Sequence, residues 1–232
     1  MMKRSWTQAF LVSAGLLLLP IVPAHAVFIE RDVFTDLDVS FDLITPDGSV
    51  NRLDLTGSAQ FDVTFPVLEG DATDDDGNGL DEVQTEMVAL SLTGSTGLGL
   101  VTVTLRPGAS SLGLIEEQVN NNAGLLDVDP FATGVADSFF DIFVELDVDG
   151  TILHNIDPAR IGAVFDNKPP PASVMGAMLG SFGDVRLFDE NGEFSDVIVR
   201  GSASSQVPEP AALAIFGLGL LGLGFARRRR DA

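Results

Sequence analysis

Apolar and polar residues alternate with period two through much of this chain. In Asp38 to Leu43 the apolar Val39, Phe41 and Leu43 are separated by Asp38, Ser40 and Asp42, and Phe61, Val63 and Phe65 are separated by Asp62 and Thr64. Successive side chains of an extended backbone point to opposite faces, so the pattern predicts strands with one face in a core and the other in water. Further strands are expected over Glu86 to Leu92, Leu98 to Leu105, Phe139 to Leu146, Val185 to Phe188 and Asp196 to Arg200. Pro46-Asp47-Gly48, Asp149-Gly150 and Asn191-Gly192 supply residues that tolerate positive φ between such runs, the signature of hairpins. Ser110 to Val119 reads as a helical stretch. Phe139, Phe140 and Phe143 read as core, and Pro169-Pro170-Pro171 as a stiff loop. The expected fold is all-β, an antiparallel β-sandwich, with a barrel as the alternative and no repeat architecture.

Two apolar segments break this rhythm, one at each end. At the front, Lys3 and Arg4 precede an apolar run from Ala9 to Leu19 and a small-x-small site at Ala24-His25-Ala26, the three parts of a secretory signal with cleavage after Ala26. That run is too short to stay as an anchor, since a helix rising about 1.5 Å per residue needs about 20 residues to cross a bilayer. At the back, Val207-Pro208-Glu209-Pro210 is followed by the apolar AALAIFGLGLLGLGFA from Ala211 to Ala226 and then by Arg227, Arg228, Arg229 and Arg230. This second run reaches about 24 Å as a helix, short of a hydrocarbon core of roughly 30 Å, a gap closed by arginine snorkelling and local bilayer thinning. Four arginines favour the cytoplasmic side, which leaves the rest of the chain across the membrane, in agreement with the front signal.

A VPEP motif, a glycine-rich apolar helix and a terminal arginine cluster, in that order, resemble the PEP-CTERM sorting signal of exported proteins from Gram-negative bacteria that make extracellular polysaccharide. The resemblance implies that Pro208, Glu209 and Pro210 are the recognition motif, that Ala211 to Ala226 is the membrane segment, and that Arg227 to Arg230 are the retention cluster. It also implies that the membrane enzyme exosortase recognises the tail and cuts near the motif. Two prolines keep such a site extended, as a protease cleft requires. The resulting division is a signal peptide over 1–26 (an N-terminal signal helix), a β-sandwich domain over 27–201, a small polar linker over 202–206, and the sorting signal with its transmembrane helix over 207–232.

Composition sharpens the picture once both ends are set aside. The whole chain of 232 residues has 13 basic and 34 acidic residues, of which 7 and 32 lie between 27 and 206, a net charge of −25 there. Such a field repels phosphate backbones and anionic headgroups, so nucleic acid is excluded as a partner and divalent cations are favoured. Cysteine is absent, which removes disulfides, thiol nucleophiles and thiolate metal sites; His25 and His154 are the only histidines, too few for a histidine-rich zinc or copper site.

Among the acids, the segment from Asp71 to Glu82 stands out. With Asp74 as the first position of a calcium loop, Asp76 falls third, Asn78 fifth, Gly79 at the sharp sixth position, Leu80 offers its carbonyl, and Glu82 is ninth. The spacing resembles the calcium loops of EF-hand, dockerin and thrombospondin type 3 repeats. It departs from the EF-hand at position twelve, where Thr85 stands in place of a bidentate Glu, with Glu86 beside it, and no helix pair flanks it. Without an ion the carboxylates at 71, 74, 75, 76 and 81 repel one another, so Ca2+ is the expected ligand and an acidic turn the alternative.

Other chemistry is sparse. His154 has Asp157 nearby, but no G-x-S-x-G elbow supports a triad, and no catalytic residue is assigned. The single tryptophan is Trp6, and tyrosine is absent, which removes the usual sugar-stacking platforms from the centre. The segment Asp137 to Pro171 is reminiscent of uncharacterised domains in other PEP-CTERM proteins. The expected protein is therefore noncatalytic, processed by signal peptidase and exosortase, tethered to the inner membrane as a precursor, and delivered to the cell surface or an extracellular polysaccharide matrix as a structural or adhesive component. The alternatives are a secreted hydrolase acting on polysaccharide or esters and a calcium-dependent carbohydrate-binding module.

Overall fold

The computed structural model of the chain describes residues 27–201. The expected signal peptide over 1–26, the expected linker over 202–206 and the sorting signal over 207–232 lie outside the described residues. Eleven strands form an antiparallel all-β sandwich: β1 (Phe28–Ile44), β2 (Val50–Phe65), β3 (Glu82–Thr96), β4 (Gly99–Leu105), β5 (Ser111–Glu117), β6 (Ala136–Ile142), β7 (Val144–Val148), β8 (Thr151–His154), β9 (Ala159–Phe165), β10 (Asp184–Phe188) and β11 (Phe194–Gly201). A single helix among the described residues, α1 (Ala172–Leu179), interrupts them. It is too short to cross a membrane.

The strand order is β2-β1-β11-β10-β8-β7-β4-β3-β5-β6-β9, and β2 also pairs with β3. A hydrogen-bonded circuit therefore runs from β2 through β1, β11, β10, β8, β7, β4 and β3 back to β2. Strand β3 is the branch point. One of its edges pairs with β2, while the other pairs with β4 over Ser91–Thr96 and with β5 over Glu82–Met87.

Turn chemistry sets the hairpins as the sequence predicts. Between β1 and β2, the Asp47 carboxylate accepts hydrogen bonds from the Thr45 hydroxyl (2.6 Å), the Ser49 N–H (3.0 Å) and the Ser49 hydroxyl (2.8 Å), and Gly48 takes φ +81°. Those bonds to the charged form bring the Asp47 carboxyl down to about 2. Asp149-Gly150 turns β7 into β8 with positive φ at both residues, and Asn191-Gly192 lies between β10 and β11.

One expectation is overturned. Ser110 to Val119 is not helical: Ser111–Glu117 is β5, with Ser111, Gly113, Ile115 and Glu117 buried and Leu112 exposed, held between β3 and β6. Its period-two pattern was diluted by glycine and serine on the inner face, which obscured the alternation. The helix that does form, α1, follows the proline run and has Pro171 as its N-cap. Phe140 is core, while Phe139 points outward beneath the Arg160 guanidinium, 4.5 Å from its ring centre, and Phe143 is half-buried.

The inward faces build two apolar clusters. The larger includes Leu37, Leu53, Leu55, Val101, Ile161 and Leu187, all essentially inaccessible to water. The smaller contains Val63, Phe65, Val83, Ile115, Ala136 and Phe165 from strands, and Ala72, Leu126 and Val128 from the two connections that follow β2 and β5. Burying side chains of this kind is worth about 1.5–3 kcal/mol each, so these connections are packed elements of the fold and not loose loops. Beside the smaller cluster lies a buried cation. Lys168 Nζ sits 2.6 Å from Glu30 Oε2 and 3.1 Å from Asp32 Oδ2, over the face of Phe65, and its side chain is 1% exposed.

Candidate metal centre

The connection from β2 to β3 passes over the smaller cluster before it reaches the acidic segment. Thr73 and Glu82 exchange both backbone hydrogen bonds, at 3.2 and 2.9 Å, and so pinch residues 74–81 into a closed loop whose far side is the first residue of β3. Inside it, Asp76 Oδ1 accepts from the Asn78 N–H (3.0 Å), Asn78 Oδ1 from the Leu80 N–H (2.7 Å), and Asp74 Oδ2 from the Gly79 N–H (3.0 Å). Each bond curls the backbone back over a side-chain oxygen, and Gly77 and Gly79 supply the φ values of +77° and +93° that this path requires.

The result brings carboxylate oxygens of Asp74, Asp76 and Glu82 within 4.8 Å of one another. Asp74 and Asp76 face solvent, whereas Glu82 is 4% exposed. Glu82 Oε1 accepts from the Asp75 N–H at 3.1 Å, while Glu82 Oε2 is buried and has no hydrogen-bond partner. Burial pushes the Glu82 carboxyl above the usual carboxylate range, the Asp75 N–H opposes that, and the charges of Asp76, Asp75 and Glu116 reinforce it. An orphaned buried carboxylate oxygen is costly, and a cation is the partner that satisfies it together with the adjacent charges. Oxygen-only donors on a glycine-turned loop suit a hard divalent ion.

Of the five sequence-predicted ligands, Asp74, Asp76 and Glu82 converge. Asn78 spends its side chain within the site's frame, its Nδ2 donating to Asp76 Oδ2 (3.2 Å) and to Glu116 Oε1 (2.8 Å). Leu80 is held by its N–H to Asn78. Position twelve takes no part: Thr85 is buried on the inner face of β3, opposite Gly113. A strand therefore stands where an EF-hand has its second helix.

Behind the loop lies a carboxylate network that no sequence pattern announced. Asp81, Glu117 and Asp127 are 4%, 1% and 0% exposed. Glu117 accepts from the Asp81 N–H (3.0 Å) with Oε1 and from the Asp127 N–H (3.2 Å) with Oε2; Asp81 accepts from the Gly124 N–H; Asp127 accepts from the N–H groups of Asn121 and Asn122 and from Asn122 Nδ2 (2.6 Å). Burial raises the Glu117 carboxyl against its two backbone bonds, with Asp127 and Asp81 adding to the rise; the asparagine bonds hold Asp127 low despite its burial. Among the described residues no lysine or arginine forms an ion pair with any of the three.

Elsewhere, His154 ends β8 opposite Glu145 of β7 and Phe188 of β10, and its charge helps hold the Asp189 carboxyl low, after the bonds from Glu193 and Asn191. Asp157 meets Asn155 through its backbone carbonyl. An open groove of about 390 Å3 between β1 and α1 is lined by Asp36, Asp38, Ser40, Ser173, Gly176 and Gly180.

Residues 206–230 match the PEP-CTERM protein-sorting motif, a span that holds Pro208, Glu209, Pro210 and Arg227 to Arg230. The motif implies an exported protein with a membrane-anchored precursor that exosortase processes for the cell envelope. No curated protein matches the chain. Among solved structures it is similar to DynF from the dynemicin biosynthesis pathway of Micromonospora chersina, at 19% identity over 82% of this chain and 86% of that one, with a TM-score of 0.48.

Proposed function

We propose that this exosortase-sorted chain delivers a noncatalytic, calcium-stabilised β-sandwich to the cell surface or the extracellular polysaccharide matrix, where it serves as a structural or adhesive component. The observation that carries the calcium assignment is Glu82 Oε2, buried without a partner beside the carboxylates of Asp74 and Asp76. Calcium takes six to eight oxygens at about 2.3–2.6 Å, and the exposed side of the loop leaves room for water to complete that number. The same open side supports a second reading, in which hydroxyls of a polysaccharide replace those waters. Either way the domain's contribution is a rigid acidic module and not a reaction.

Protein purified from its native host tests the reading. Mass spectrometry of both termini is expected to find Val27 first and the Arg227 to Arg230 cluster removed; an intact arginine tail on surface-exposed protein overturns the processing. In the same preparation calcium is expected to raise the melting temperature, and Asp76→Ala to abolish the rise. Superimposable melting curves with calcium and with chelator overturn the metal assignment.

A further inference from the structure

We infer that the ion at the 74–82 loop acts as a latch, holding the β5–β6 connection, residues 118–135, closed over the smaller apolar cluster, so that calcium governs access to that buried surface. The inference rests on the reading of the loop as a calcium site.

Two physical links join the loop to the connection. The first is backbone. Thr73 pairs with Glu82 on one side, and immediately before it Asp71 bridges to Leu125, the Ala72 N–H donates to the Gly124 carbonyl (3.1 Å), and the Leu126 N–H donates to the Gly70 carbonyl (2.9 Å). The segment 70–73 is thus a short splint with the metal loop's base on one flank and residues 124–126 on the other. The second link is side-chain. Asp81, next to the ligand Glu82, turns the opposite way and accepts from the Gly124 N–H, while the Glu117 carboxylate spans the N–H groups of Asp81 and Asp127.

What these links close is apolar. Ala72, Leu126 and Val128 are at most 3% exposed, and the Phe131 ring lies so close to Gly70 that a Cβ there would approach it to 2.8 Å. The polar side of the closure is assembled from carboxylates, Asp81, Glu117 and Asp127, beside the three carboxylates of the metal loop, and among the described residues no basic side chain pairs with Asp81, Glu117 or Asp127. Removing the cation leaves this end of the fold held by the backbone bonds of 70–73, by the pairing of Asp129 with Asp166 and Lys168, and by N–H to carboxylate bonds within a field of like charge, whereas the larger cluster, built from the strands of the circuit together with β6, β9 and α1, is untouched. Local opening drawn from the least stable end of a fold is the expected response. The coupled element has two arrangements, closed and open, that the ion biases.

Hydrogen exchange measured by mass spectrometry on the full purified chain, with excess calcium or with chelator, tests the latch, and a calcium titration by calorimetry runs alongside. Chelation is expected to speed exchange at least tenfold in peptides covering 119–131 as well as 74–82, with 37–43 and 101–103 unchanged. Glu82→Gln is expected to give the chelated pattern in the presence of calcium. Asp81→Ala, which removes the acceptor of the Gly124 N–H, is expected to keep calcium binding while at least halving the calcium-dependent protection of 119–131. If calcium binds but protects 74–82 alone, or if Asp81→Ala leaves the protection of 119–131 intact, the latch is overturned and the metal site stands. If calorimetry detects no calcium binding, the metal reading itself fails.

Discussion

Lys168 offers the sharpest test of how this acidic domain tolerates its buried charge. Lys168→Met keeps an unbranched side chain of similar length and removes the ammonium that faces Asp32 at 3.1 Å and Glu30 at 2.6 Å. At an effective dielectric of about 20 the Asp32 contact alone is worth about 5 kcal/mol of Coulomb energy, and loss of one partner of a buried pair typically costs about 3–5 kcal/mol once the ammonium's own desolvation is returned. Glu30 is more exposed and is rehydrated, but the Asp32 side chain is 8% exposed and cannot be.

The pH dependence follows with a definite sign. Burial already raises the Asp32 carboxyl, with Lys168 pulling it back, so the variant moves it further up. A carboxyl that binds its proton more tightly in the folded state costs stability as pH rises through the window between its unfolded and folded values. The deficit of Lys168→Met is therefore full at pH 7 and shrinks as the pH falls toward the unfolded carboxylate range. Urea unfolding at several pH values measures it, with a fall of roughly 10 °C in melting temperature at pH 7 as the parallel readout. Adding Asp32→Asn is expected to recover most of the loss. A single variant within about 1 kcal/mol of the parent at pH 7, or a deficit independent of pH, refutes the reasoning.

Two further outcomes follow from the packing. Gly57→Ala places a Cβ 1.9 Å from the Ser91 carbonyl oxygen across the β2–β3 ladder, so a loss of about 1–3 kcal/mol or more is expected in denaturant titrations, and an unchanged midpoint contradicts that close approach. The cavity of about 20 Å3 lined in part by Asp32, Thr85, Ser138 and Lys168, beside the buried and unpartnered Thr85 hydroxyl, is expected to hold one ordered water in a high-resolution crystal structure and to lose it in Thr85→Val; an empty cavity in the parent refutes this.

How much the amino-acid order disclosed depended on how local each feature is. β1, β2, β10 and β11 have clear alternation and turn residues at their ends, and the carboxylates at 74, 76 and 82 are brought together by bonds spanning seven residues or fewer. β8 and β9 escaped notice because a four-residue strand and one carrying Gly162 on its path offer too little periodicity. α1 was hidden by small residues, whose reason appears only in contact: a Cβ on Gly176 would lie 2.4 Å from the Asp38 carbonyl oxygen of β1. The Glu117 bond to Asp81 spans 36 residues, Asp81 to Gly124 spans 43 and Lys168 to Glu30 spans 138. Among 34 acids nothing in the string of letters distinguishes those few that end up inside.

The position of the last strand bears on how such a protein is made. β11 lies between β1 and β10, so the ring of ladders stays broken until residues 194–201 arrive, and these come last of all the domain's elements. A chain threaded outward from its front end must hold the earlier strands in an unfinished state almost to the end of its passage. In a chain exported front end first, maturation is thereby postponed to the far compartment, where the keystone finally slots home beside the first strand to have emerged.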